Sequence, residues 1–232
     1  MQLRRLSIVP VLFSALFLAA CGSEAPVPKS DAEASRDATV EQPVMGPEQR
    51  ILAFGDSLFA GYNVASDDSY PAKLEASLRA QGINARVTNA GVSGDTTAAG
   101  LQRLTFTLDG QPEKPDLFIL ELGGNDLLRG LPVSETRKNI ETMLQELQKR
   151  EIPVLLMGMR APPNFAEFQE AFDNLYPELA KQYGADLVPF FQESIYDKPE
   201  LIQGDRVHPT EEGIETLVGA TVGAVKEALP EG

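Results

Sequence analysis

The chain has 232 residues, of which 20 are basic and 34 acidic, and its net charge at pH 7 is −14 with the one histidine neutral. So acidic a chain excludes recognition of nucleic acid through its phosphates and attachment to an anionic bilayer by charge alone. With Cys21 its only cysteine, it forms no intramolecular disulfide and offers no thiolate metal cluster.

Arg4 and Arg5 precede an apolar stretch from Ile8 to Leu18, interrupted by Pro10 and Ser14 and followed by the small residues Ala19 and Ala20. That is the layout of an export signal, and the stretch is shorter than the roughly 20 residues a membrane-spanning helix needs. Its removal takes two positive charges and leaves −16. From Gly22 to about Gln49 the residues are mostly Ser, Ala, Glu, Asp and Pro, with too little apolar surface to offset chain entropy, which reads as a flexible tether. The expected division is a signal over 1–20, a cysteine-led linker over 21–49 and one folded domain over 50–232, long enough to enclose its own core.

Within the domain, Ile51 to Phe54 reads as a short strand stopped by Gly55, and Tyr70 to Arg79 has helical spacing before Gly82. Arg86 to Asn89 is a second strand, Thr96 to Leu108 a helix, and Asp116 to Leu122 a continuous apolar run typical of a strand buried on both faces. Ser134 with Arg137 to Arg150 follows as an amphipathic helix, Pro153 to Met159 as a strand, Phe165 to Tyr183 as a helix and Asp186 to Val188 as a last short strand. Thr210 caps a closing helix that runs to Leu229. Alternating strands and helices predict an α/β fold, a three-layer α/β/α sandwich around a five-stranded parallel sheet. Ligands of such sheets bind beyond the carboxyl ends of the strands, so the loops after strands are where chemistry belongs.

Four of these loops carry reactive groups. Gly55-Asp56-Ser57-Leu58 puts a hydroxyl at the start of a helical turn, where free N–H groups favour a developing negative charge; the same residues also suit a helix cap. In Asn89-Ala90-Gly91-Val92-Ser93-Gly94-Asp95-Thr96, Gly94 has no Cβ and its N–H can approach a ligand closely, while Gly91, Asp95 and Thr96 fit a turn with a cap. Gly123-Gly124-Asn125-Asp126 clears space into which the Asn125 amide can donate. In Asp205-Arg206-Val207-His208-Pro209, a tight turn can bring the Asp205 carboxylate to one ring nitrogen of His208 while the other faces Ser57. His208 is the only histidine, which excludes a histidine-cluster metal site.

These four segments, in this order from Ile51 onward, resemble the motifs of SGNH (GDSL) hydrolases, and their long second and third members are most similar to the secreted thioesterase, lysophospholipase and arylesterase subgroup. The resemblance implies the flavodoxin-like sheet of that family and hydrolysis of a small acyl ester or thioester without a cofactor or metal. It implies Ser57 as nucleophile, His208 as base and Asp205 as the group that orients it, with oxyanion donors from the Ser57 backbone, Gly94 and Asn125. It further implies that the segment from Met157 to Pro163 borders the substrate cleft, with Met159, Arg160 and Pro162 as substrate contacts. Carbohydrate deacetylation or another short-acyl esterase activity is the alternative within the family, and a non-catalytic ligand-binding lipoprotein is the alternative outside enzymes.

Leu18-Ala19-Ala20-Cys21 resembles the lipobox of bacterial lipoproteins. That resemblance implies lipidation of Cys21 and anchoring to a bacterial cell membrane, and Gly22 in place of an aspartate points to the periplasmic face of the outer membrane. The domain is expected to be a monomer. Two sets of residues keep two readings each: Asp56 and Asp126 as helix caps or as orienting groups behind the site, and Phe165, Phe168, Phe172 and Tyr176 as core or as the wall of an acyl pocket.

Overall fold

The computed structural model describes residues 44–162 and 166–230; the export signal, Cys21, the tether through residue 43 and Phe165 lie outside them. Five strands, β1 (Gln49–Gly55), β2 (Ala85–Gly91), β3 (Leu117–Glu121), β4 (Val154–Met157) and β5 (Asp186–Val188), pair in the order β2-β1-β3-β4-β5 with every neighbour parallel. Among the described residues seven α-helices are interleaved: α1 (Ser57–Ala60), α2 (Tyr70–Ala80), α3 (Thr97–Asp109), α4 (Gly124–Leu128), α5 (Val133–Lys149), α6 (Ala166–Tyr183) and α7 (Glu211–Ala228).

From Ile51 to Phe54 and from Leu117 to Leu120 the central strands are apolar at every position because both faces are covered. Leu52 and Phe54 of β1 and Phe118 and Leu120 of β3 point into a core shared with Leu104, Ile140, Leu144 and Phe172 from α3, α5 and α6. Their neighbours Ile51, Ala53, Leu117 and Ile119 point the other way, against Leu74, Leu78, Leu217 and Val225 from α2 and α7. On α5 the buried positions are Thr136, Ile140, Met143, Leu144 and Leu147, the spacing of one helical face. Gly82 (φ +85) ends α2 in the left-handed conformation glycine adopts freely.

Two short helices differ from the sequence expectation. α1 and α4 occupy stretches that read as loops, because four or five residues are too few to display a helical period. β2 also runs to Gly91 rather than stopping at Asn89, in register with β1 through the pair Gly55 and Gly91. A Cβ at Gly91 would enter the backbone of Phe59 and Ala60, so glycine here lets α1 lie directly across the end of β2.

The strand order reverses direction around β1, and the loops after β1, β2 and β3 open at one edge of the sheet. The chain returns to that edge between a 3-10 turn at Pro199–Leu201 and α7. There Ile202 and Pro209 form an antiparallel bridge, Gln203 N donates to His208 O at 2.7 Å and Thr210 N donates to Leu201 O at 2.9 Å. Thr210 Oγ1 then caps α7 by accepting from Gly213 N at 3.1 Å. Gly213 packs on the Leu201 carbonyl so closely that a Cβ would overlap it. Gly213→Ala is therefore expected to lower unfolding free energy by about 1–3 kcal/mol, read as a fall in the urea midpoint without a change in slope.

Candidate active site

The hydroxyl of Ser57 is placed by the sharp exit from β1. Asp56, at the N-cap of α1, accepts from Leu58 N at 3.0 Å and so starts the helical turn on which Ser57 is the first residue. Ser57 is 9% exposed, open only toward a cleft of about 450 Å³. The loop before α7 delivers the other partners to the same cleft. His208 Nε2 lies 2.8 Å from Ser57 Oγ, and His208 Nδ1 lies 2.7 Å from Asp205 Oδ2. With the ring proton on Nδ1, the imidazole donates to the carboxylate and its free nitrogen accepts from the serine hydroxyl.

Asp205 is fixed by its own turn. Its Oδ1 accepts from Val207 N at 2.9 Å and His208 N at 3.0 Å, while Arg206 takes the left-handed conformation (φ 64) that lets the chain double back. Desolvation pushes the Asp205 carboxyl up, but the His208 N–H, the imidazole and the Val207 N–H together hold it below the usual carboxylate range. It therefore stays an anion into acid. One face of the His208 ring is covered by Tyr62, stacked at 4.2 Å between centroids and tilted by 29°. The Tyr62 loop is in turn held by Gln203, whose Nε2 donates to Tyr62 O at 2.9 Å and to Pro209 O at 2.8 Å.

Three N–H donors border the cleft beside the Ser57 hydroxyl. The backbone N–H groups of Ser57 and Gly94 have no protein acceptor among the described residues, and Gly94 is left-handed (φ +85) with its carbonyl held by Arg129 Nη2 at 2.7 Å. Asn125, on the first turn of α4, gives one amide hydrogen to Asp56 Oδ2 at 2.9 Å and keeps the other for the cleft. Asp95, next to Gly94, pairs with Arg103 at 2.6 Å, and Arg103 also donates to Gly55 O at 3.0 Å, tying the second loop to the first. Such donors stabilise an oxyanion strongly because they are already oriented and poorly hydrated.

The residues expected to carry catalysis or to touch substrate border this cleft: Ser57, Gly94, Asn125, Asp205 and His208, with Met159, Arg160 and Pro162 along one wall. The two open pairs of readings resolve differently. Asp56 both caps α1 and anchors Asn125, whereas Asp126 turns away and accepts from Thr97 N at 2.8 Å and Thr136 Oγ1 at 3.2 Å, joining α4 to α3 and α5. Phe172 and Tyr176 are core residues, with Tyr176 Oη donating to Leu122 O at 3.0 Å, so they wall no acyl pocket. Two residues at the site had not been singled out. Tyr62 carries no local sequence signal, since its partner is far along the chain; Glu121 did carry one, as an acid closing an otherwise apolar strand.

The model of the GDSL-like lipase/acylhydrolase family matches residues 53–215. The chain belongs to that family. An arylesterase of Vibrio mimicus is 38% identical over 165 residues, 71% of this chain and 82% of that protein. The thioesterase 1/protease 1/lysophospholipase L1 of Escherichia coli K12 is 39% identical over 160 residues, 68% and 74% of the two chains. Among solved structures, AlinE4, an SGNH-hydrolase family esterase, is 64% identical with a TM-score of 0.68 over 81% of this chain and 100% of its own. A structure of TesA gives 36% identity and a TM-score of 0.74 over 78% of this chain and 100% of that one. This SGNH hydrolase is accordingly a serine esterase with the family's α/β sheet.

The geometry at Asp205 generates a specific expectation for this esterase. In Asp205→Asn the amide oxygen can still accept from the Val207 and His208 N–H groups, but its NH2 faces Nδ1 and forces the wrong tautomer on the ring. Turnover on a nitrophenyl ester should fall by about 10⁴-fold while the melting temperature stays near that of the wild type.

Proposed function

We propose that Ser57, His208 and Asp205 are the catalytic triad of this esterase, and that the Ser57 backbone, Gly94 and Asn125 form its oxyanion hole. The observation that carries this reading is the unbroken hydrogen-bond chain from Asp205 Oδ2 through both ring nitrogens of His208 to Ser57 Oγ, at 2.7 and 2.8 Å. His208 takes the hydroxyl proton as Ser57 attacks an acyl carbonyl, and Asp205 stabilises the imidazolium that forms. The tetrahedral oxyanion is met by the two backbone N–H groups and the Asn125 amide. Collapse expels the alcohol or thiol with the proton from His208, leaving an acyl-enzyme that water, activated by the same ring, hydrolyses.

The wall of the cleft favours an apolar acyl or aryl group. Leu58, Leu127, Met159, Phe190 and Ile202 contribute to it, and Leu128 and Tyr196 stand exposed at its mouth. A small acyl ester or thioester suits this lining, in line with the arylesterase and thioesterase/lysophospholipase relatives. Arg160 and Pro162 extend the same wall.

The reading of the chain upstream is that residues 1–20 are removed on export, Cys21 is lipidated, and residues 21–49 tether a monomeric domain to the periplasmic face of the outer membrane. More than one acyl chain is needed for stable attachment. Incorporation of labelled palmitate that disappears in Cys21→Ser tests the anchor; labelling that persists refutes it.

Two outcomes test the site. Ser57→Ala should abolish both ester hydrolysis and labelling by a fluorophosphonate. Asn125→Ala should fold and label but lose about 100- to 1000-fold in kcat, the typical loss of one oxyanion donor. Full activity in either variant, assayed on nitrophenyl esters of graded length beside acyl-CoA and lysophospholipid, would refute the assignment of that residue.

A further inference from the structure

Directly beneath the site sits a carboxyl group that the mechanism above does not use. Glu121 ends β3 and is fully buried. It pairs in register with Gly55 of β1, where a Cβ would collide with its Oε2, so the glycine makes room for the acid. Oε2 accepts from Asp56 N at 3.1 Å, and Oε1 has no hydrogen-bond partner among the described residues. The N–H so held belongs to the residue whose carboxylate accepts from Asn125 Nδ2 at 2.9 Å and Leu58 N at 3.0 Å and lies 3.5 Å from Ser57 Oγ.

We propose that Glu121 is a positioning residue of this esterase, acting as a neutral acid through Asp56 to aim the Asn125 amide and the Ser57 hydroxyl. The proposal rests on the assignment of those two residues above. An ionised Glu121 would be a fully buried charge met by a single N–H donor, whereas the neutral acid leaves only a hydroxyl without a partner, which costs far less, and a glutamine side chain matches that neutral state. The charged and titratable groups around it fit a single negative charge. Asp56 faces it from the cap of α1, His208 lies beyond Asp56, and Tyr176 approaches from α6. Arg103 of α3 reaches the adjacent Gly55 carbonyl but is paired with Asp95.

Burial first, and then the neighbouring Asp56, push the Glu121 carboxyl well above the usual carboxylate range. Asp56 is also raised by burial, but the Leu58 and Asn125 donors favour its anion. The proton therefore rests on Glu121 and the charge on Asp56, where it can hold the amide of Asn125. Because the folded state keeps a proton that the unfolded chain releases near 4.5, the protein must lose stability as pH rises from that value through the folded-state titration.

The test uses the purified full-length chain with nitrophenyl butyrate. Glu121→Ala should lower kcat by about 10- to 100-fold through misplaced donors and leave KM nearly unchanged. Glu121→Gln should restore kcat to within about threefold of the wild type. As pH rises from about 5, the melting temperature of Glu121→Gln should rise relative to the wild type, because glutamine has no proton to retain. Wild-type kcat in folded Glu121→Ala, a Gln variant as impaired as the Ala variant, or melting temperatures that run parallel across pH would each overturn the proposal. If the Ala variant does not fold, the Gln variant and its pH dependence still decide. Full activity in a parallel Ser57→Ala control would instead overturn the site assignment on which the proposal stands.

Discussion

The imidazole of His208 is held at both nitrogens, and the rest of the architecture serves that one ring. Its outer nitrogen belongs to a local turn closed by Asp205, and its inner one belongs to a serine 151 residues away. The parallel sheet brings the two together by ending β1 at the same edge to which the chain returns before α7. The return is pinned by the Ile202–Pro209 bridge and by Gln203, so the ring approaches Ser57 from a backbone with little freedom. Tyr62 covers one face of the ring. In the proposed mechanism this ring passes one proton back and forth, a task that needs such restraint because small misplacements cost rate steeply.

What could be read from the sequence was whatever chemistry lies within a few residues of a strand end. Ser57, Gly94 and Asn125 are each announced by glycines that open a turn, and Asp205 and His208 are close enough for one turn to join them. Strands buried on both faces are equally legible, because Leu117 to Leu120 has no polar side for solvent. The illegible features all depend on pairing across distance. Nothing near Tyr62 points to an imidazole, nothing near Arg129 to the carbonyl of Gly94, and the spacing of Phe172 and Tyr176 is the same whether the face they share meets a core or a ligand. Glu121 is the instructive exception: it was visible as an acid in an apolar strand, but only its contact with Asp56 gives it a meaning.

On the proposed assignment, an acidic protein favours a negative intermediate. The net charge of −14 would oppose an oxyanion if it acted at short range. Around Ser57 the field is instead set by oriented N–H groups and by Arg103 and Arg129, which hold the second loop against the first and against α4. The acidic groups close to the site are committed elsewhere: Asp205 to the imidazole, Asp95 to Arg103, Asp56 to α1 and Asn125. Charges on the outer surface are screened by solvent over about a nanometre, whereas these fixed dipoles are not.

The path of the chain has a practical consequence. β1 begins at Gln49, at the edge of the sheet away from Ser57, a strand length of about 20 Å below it. α7 starts beside His208 and descends the same height, so that Lys226 near its end reaches Gln81 at the foot of α2. Both ends of the described domain therefore leave from the side opposite the cleft. Fusion or immobilisation through either of them would present the opening to bulk solution, with the whole depth of the sheet as a spacer.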